Sequence, residues 1–205
     1  MTPLSVDTPH GAARVYIEPV ERPRAALVLG HGAGGGVTSR DLVAVTGAAR
    51  SEEISVALVE QPYRVAGRRS PAPAHQLDAA WTTVIDRLLA RELRGLPLLV
   101  GGRSSGARVA CRTAEATGAV AVLCLAFPLQ PPGRSGAARP SRLAELDAVT
   151  VPTLVIQGER DPFGVPPADA RRTVVLVAGD HSLRTDLQAV TAAVRAWLQT
   201  LLYPR

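Results

Sequence analysis

Short apolar runs alternate along this chain with longer segments of helical period. Residues 25–30, 55–59, 96–101, 120–126 and 153–158 are nearly unbroken runs of small and branched apolar side chains, the pattern of strands buried on both faces of a sheet. Residues 14–20 and 173–178 read as two more strands. Between the runs, Leu77, Trp81, Val84, Ile85, Leu88 and Leu89 recur on one helix face, and so do Leu187, Val190, Val194, Trp197, Leu198, Leu201 and Leu202. Strands alternating with helices predict an α/β fold, a mainly parallel sheet of about seven strands with helices on both faces. Both tryptophans fall inside the helical stripes, so each is expected to pack on the sheet rather than to offer a platform to a substrate.

Two stretches break the pattern. Residues 63–74 hold three Arg and two Pro, and residues 128–141 hold four Pro and two Arg, so both read as loops. Neither is long enough to form a cap domain. A length of 205 residues suits one compact domain spanning 1–205, and a site on it should stand open to solvent.

Composition narrows the picture further. Apolar residues make up 46% of the chain and aromatics only 3%, so Leu, Val and Ala must fill the core. The formal net charge is +5 and all 23 basic residues are Arg. They are scattered, without the clustered stripe and interleaved aromatics of a nucleic-acid binder, which argues against such a partner but leaves anionic small molecules open. No apolar run approaches the ~18 residues of a membrane span, and the first residues do not read as a signal peptide, so a cytoplasmic location with no membrane partner is expected. Cys111 and Cys124 lie in apolar surroundings without metal-binding spacing and read as reduced core residues. No metal and no cofactor is expected.

Four short motifs carry chemistry. Gly102-Arg103-Ser104-Ser105-Gly106 follows the apolar run ending at Gly101 and opens a helix-compatible segment through Thr117. A nucleophile on a sharp strand-to-helix turn needs neighbours without side chains two positions before and after it. Gly102 and Gly106 meet that need for Ser104, whereas a frame centred on Ser105 would place Arg103 where a glycine must stand. The Ser105 N–H then lies at a helix N-terminus, where it suits an oxyanion. Residues 30–36, Gly-His-Gly-Ala-Gly-Gly-Gly, follow another strand and let backbone N–H groups approach a ligand, with Ala33 as the second oxyanion donor. His31 is expected to order this loop. Asp161 lies just beyond the 153–158 run and is preferred as an acid over Glu159, Asp169 and Asp180. His181, in the loop before the last helical stripe, is the expected base, while His10 and His75 read as surface residues. Ser104, Asp161 and His181 thus follow one another in the chain order of one kind of serine-hydrolase triad, each beyond a strand end.

On the His31-Gly32-Ala33-Gly34-Gly35 run and the elbow from Gly101 to Arg108, the chain resembles the α/β-hydrolase superfamily over nearly its whole length. Within it, the sequence is similar to the short branch of KANL3-like and Tex30-like proteins and, more distantly, to dienelactone hydrolases. The resemblance implies an α/β-hydrolase fold with Ser104, Asp161 and His181 as catalytic residues, and the chemistry of such a triad makes a small ester or thioester the expected substrate. Arg103, Arg64, Arg68, Arg69 and Arg134 are candidates for the rim of the site, with Arg103 as a substrate-binding residue. Two other readings stay open. One is a catalytically idle fold that serves as a binding module. The other is a dinucleotide-binding protein in which Gly30–Gly35 meet a pyrophosphate and Glu60 a ribose.

Overall fold

A computed structural model describes residues 3–130 and 140–203. Its strands, in chain order, are β1 (Leu4–Thr8), β2 (Gly11–Glu18), β3 (Ala25–Gly30), β4 (Ile54–Glu60), β5 (Leu98–Arg103), β6 (Ala121–Leu125), β7 (Thr153–Gly158) and β8 (Arg172–Val177). Its helices are α1 (Arg40–Ser51), α2 (Pro62–Val65), α3 (Ala74–Ala90), α4 (Ser105–Thr113), α5 (Leu143–Asp147) and α6 (Leu187–Leu202). The strands form one sheet in the order β1-β2-β4-β3-β5-β6-β7-β8. From β4 to β8 every pairing is parallel, and the hairpin β1–β2 adds an antiparallel edge.

Period-two alternation splits each central strand between two cores. In β3, Ala26 and Val28 face the core built with Leu77, Trp81, Ile85 and Phe127. Leu27 and Leu29 face the other, built with Leu42 and Val45 of α1 and Val190, Val194 and Leu198 of α6. Each such leucine contributes about 1.5–3 kcal/mol through removal from water. The two helices of the second core are also joined by charge. Glu52, buried at the end of α1, receives Arg195 at 3.0 Å and Gln199 at 3.2 Å.

The expected architecture is present, an α/β-hydrolase fold with helices on both faces and, among the described residues, no separate cap domain. The sheet has eight strands rather than about seven. The additional one, β1, is an edge strand in which only Val6 is buried, so its hydrophobic pattern is faint. The stretch 63–74 is not wholly loop, because the helical turn α2 covers its first residues and α3 begins at its end. Arg134 and most of the 128–141 stretch lie outside the described residues. Among the described residues no helix is long and apolar enough to cross a membrane.

Candidate active site

The chain reverses its direction of travel across the sheet at β3, which pairs with β4 on one side and β5 on the other. Loops leaving the C-terminal ends of two such strands turn opposite ways and open a crevice between them, the favoured ligand position in open parallel sheets. Ser104 stands in that crevice, between the end of β5 and the start of α4, with φ 52° and ψ −107°. This left-handed backbone, strained for a residue with a Cβ, is held by the Ser104 N–H donating to Leu125 O at 2.9 Å. The tightness of the turn explains its glycines. A Cβ on Gly102 would come within 2.5 Å of Gly30 O, and one on Gly106 would press on the same carbonyl.

The loops after β7 and β8 bring an acid and an imidazole to Ser104. His181 Nε2 lies 3.0 Å from Ser104 Oγ, and His181 Nδ1 lies 2.8 Å from Asp161 Oδ2. A carboxylate only accepts, so the proton sits on Nδ1 and the Nε2 lone pair faces the hydroxyl. Asp161 is itself fixed on both oxygens. Phe163 N–H donates to Oδ1 at 2.9 Å, and Gln157 Nε2 donates to Oδ2 at 2.8 Å. The Phe163 ring stands edge-on to the imidazole at 4.5 Å between centroids. The Asp161 side chain is fully buried and that of His181 is 19% exposed, so one end of the line is dry and the other reaches the crevice.

The glycine-rich loop after β3 closes the other side. His31 is buried, with Nδ1 donating to Gly32 O at 2.8 Å and Nε2 accepting the Gln61 N–H at 3.1 Å. Both ring nitrogens are thereby committed in the neutral form, and burial pushes the His31 pKa down. Tyr63 OH donates to Ala33 O at 2.9 Å, and burial raises the phenol pKa to about 12. These side chains hold the loop segment that brings Ala33 to the cleft shared with Ser104. Because α1 begins only at Arg40, the glycine run does not form the first turn of a helix, as a pyrophosphate-binding loop would.

A cleft of about 370 Å³ lies over Ser104 and His181, bordered by Ala33, Gly34, Pro71, Pro128 and Phe163, with Arg103, Arg108 and Arg142. Of the arginines expected at the rim, Arg103 borders this cleft, while Arg64, Arg68 and Arg69 do not. Arg108 is engaged by Glu145, with Nε 2.8 Å from Oε2, and Arg142 donates to Pro128 O at 3.1 Å. Glu159, Asp169 and Asp180 are exposed, as are His10 and His75. Among the described residues no group of three His, Cys, Asp or Glu gathers to hold a metal ion. The supporting side chains Gln157, Phe163, Tyr63 and Asp41 escape motif reading. Gln157 alone left a trace, as a polar residue ending an apolar strand four positions before Asp161.

Residues 23–199 match the family described as an alpha/beta hydrolase domain, and the chain belongs to that family. Solved structures agree on the fold. XC6422 from Xanthomonas campestris, described as an α/β serine hydrolase without lid, is 19% identical, covers 100% of this chain and 96% of its own, and superposes with a TM-score of 0.77. Est1E from Butyrivibrio proteoclasticus is 16% identical, with 97% and 98% covered and a TM-score of 0.76. Dienelactone hydrolase from Anabaena variabilis is 17% identical, with 100% and 98% covered and a TM-score of 0.77. No curated protein sequence matches. Family and fold together support a hydrolase activity in general terms.

Proposed function

We propose that the protein is a serine hydrolase that cleaves a small ester or thioester through an acyl-enzyme on Ser104. One observation carries this reading: the continuous line from Ser104 Oγ through His181 to Asp161, with contacts of 3.0 and 2.8 Å. His181 Nε2 takes the Ser104 proton as the oxygen attacks the carbonyl carbon, and Asp161 holds the imidazole in the tautomer that makes this possible. The tetrahedral oxyanion is received by the Ala33 and Ser105 N–H groups, each such donor typically contributing about 2.7–4 kcal/mol of barrier lowering. His181 returns its proton to the leaving oxygen or sulfur. A water molecule, deprotonated by the same imidazole, then frees the acid.

The cleft of about 370 Å³ with Phe163 and two prolines on its border suits a compact acyl or aryl group rather than a long chain. The glycine run and elbow support placement in the short branch with the KANL3-like and Tex30-like proteins. Cys111 and Cys124 are free, buried thiols with sulfurs 3.5 Å apart, which suits a reducing compartment, and we assign the enzyme to the cytoplasm.

The test combines a fluorophosphonate probe with p-nitrophenyl esters of increasing acyl length, on the wild type and on Ser104→Ala. Expected are an adduct on Ser104, hydrolysis favouring short acyl groups, and loss of both in the variant. A folded wild type that takes no adduct and turns over no ester would leave the idle binding module as the better description.

A further inference from the structure

We infer that Arg103, paired with Asp41, is a positioning residue that holds the His181 backbone in register with Ser104, rather than a ligand for substrate. The inference rests on the serine-hydrolase reading.

Arg103 is the last residue of β5 and directly precedes Ser104, so its backbone is part of the elbow. Although it borders the cleft, its guanidinium is committed to the surrounding protein. Nη2 donates to His181 O at 2.9 Å. Nε lies 2.9 Å from Asp41 Oδ2. Nη1 rests against the oxyanion loop so closely that a Cβ on Gly32 would fall 2.8 Å from it. One planar cation therefore touches the start of α1, the loop after β3 and the loop that carries the base, residues brought together from across the sequence.

Burial makes these contacts rigid. The Arg103 side chain is 19% exposed and that of Asp41 only 1%. Asp41 Oδ1 accepts the Leu42 N–H at 3.0 Å, but Oδ2 has no well-aligned hydrogen bond and meets Arg103 as an ion pair. A dry carboxylate oxygen with no other compensation keeps the guanidinium where it is. The guanidinium in turn fixes the His181 carbonyl, and so the depth at which the imidazole hangs beside Ser104 Oγ. Among the loop's other backbone bonds, the Leu183 N–H to Asp180 O bond at 3.2 Å is local, and Gly179 O accepts the Arg160 N–H at 2.9 Å from the loop after β7. Neither reaches β5, the strand that leads into Ser104.

The geometry needs a fork, not just a charge. An ammonium on a flexible stem cannot meet the Asp41 carboxylate and the His181 carbonyl with fixed angles together, so Arg103→Lys should behave like a loss. Positioning also predicts where the loss falls. A displaced base slows chemistry on every substrate, whereas a lost substrate ligand weakens binding of anionic substrates alone.

The experiment compares wild type, Arg103→Lys, Arg103→Met, Asp41→Asn and the Arg103→Met/Asp41→Asn double variant. Each is assayed for kcat and KM on a neutral p-nitrophenyl ester and on one bearing a carboxylate, and for the low-field proton NMR signal of His181 Nδ1–H. Expected is a kcat reduced by about 10- to 100-fold on both esters with KM little changed, the range that small misplacements of reacting groups produce. The His181 signal should shift or broaden in each variant, and the double variant should be no worse than Arg103→Met. A loss confined to KM on the anionic ester would make Arg103 a substrate ligand and overturn the inference. An unchanged kcat with an unchanged signal would also overturn it. Should Arg103→Met not fold, Arg103→Lys and Asp41→Asn carry the comparison. A wild type without turnover or adduct defeats the hydrolase reading alone, since the His181 signal still decides whether Arg103 positions the ring.

Discussion

Ser104 combines a hydroxyl 3.0 Å from an imidazole nitrogen with a backbone that its own side chain disfavours, φ 52° and ψ −107°. Glycine adopts positive φ freely, and strain of this kind costs on the order of 1–3 kcal/mol. Against that stands the added freedom of glycine in the unfolded chain, about 0.4–1 kcal/mol. Ser104→Gly is therefore expected to raise the melting temperature by a few degrees, about 2–4 °C per kcal/mol gained in a chain of this size, while abolishing fluorophosphonate labelling. A scanning-calorimetry comparison with the wild type checks the sign. This residue was the most legible part of the site in sequence, because flanking glycines and a preceding apolar run are local properties. Asp41 was not, because its meaning comes from Arg103 of a distant strand. In sequence it reads as an ordinary acid in the first turn of a helix.

At the scale of the element, the glycine-rich loop after β3 depends on a neutral imidazole. His31 accepts from Gln61 N–H on Nε2 and donates from Nδ1, and its pKa is lowered by burial. The unfolded chain takes up a proton near the ordinary value of about 6.5 while the folded chain resists it. The linkage is silent above that pH, and stability falls as pH drops below it. Urea midpoints measured between pH 8 and pH 5 are expected to decline more for wild type than for His31→Gln, whose residue 31 does not titrate. Equal slopes would show that His31 does not govern the loop's acid sensitivity. The strand that leads into this loop was readable because β3, like β7, is buried throughout. The edge strand β1 was not, since a strand half in water needs only one buried side chain, and Val6 alone gives no period.

For the whole molecule, the sheet separates two apolar layers, and each contains one tryptophan. Trp81 is fully buried in the layer with α3 and α4, and Trp197 packs on the layer with α1 and α6. The β3 and β5 residues of both layers share a backbone, so neither layer can open without disturbing the other, and the chain is expected to unfold as one unit. Trp81→Phe and Trp197→Phe each leave a single reporter, on opposite faces. Each variant's fluorescence transition should coincide with its own far-ultraviolet circular dichroism, and a face that melted early would reveal two cooperative units. The alternation of strands and helices made this layering foreseeable from the chain. The pairing of its charges was not, because Glu52 with Arg195 and Arg112 with Asp78 are set by tertiary packing.

The crossing at which Gly102 and Gly106 both meet the Gly30 carbonyl bears on how the protein can be re-engineered. Any side chain added at either glycine must push β3 away from the elbow, so saturation of these positions yields only dead members of a library. Diversity aimed at new substrates belongs instead at Pro71 and Pro128, which border the cleft without holding the crossing together. In the terms of directed evolution, the molecule offers an adjustable rim around a hub that tolerates no variation.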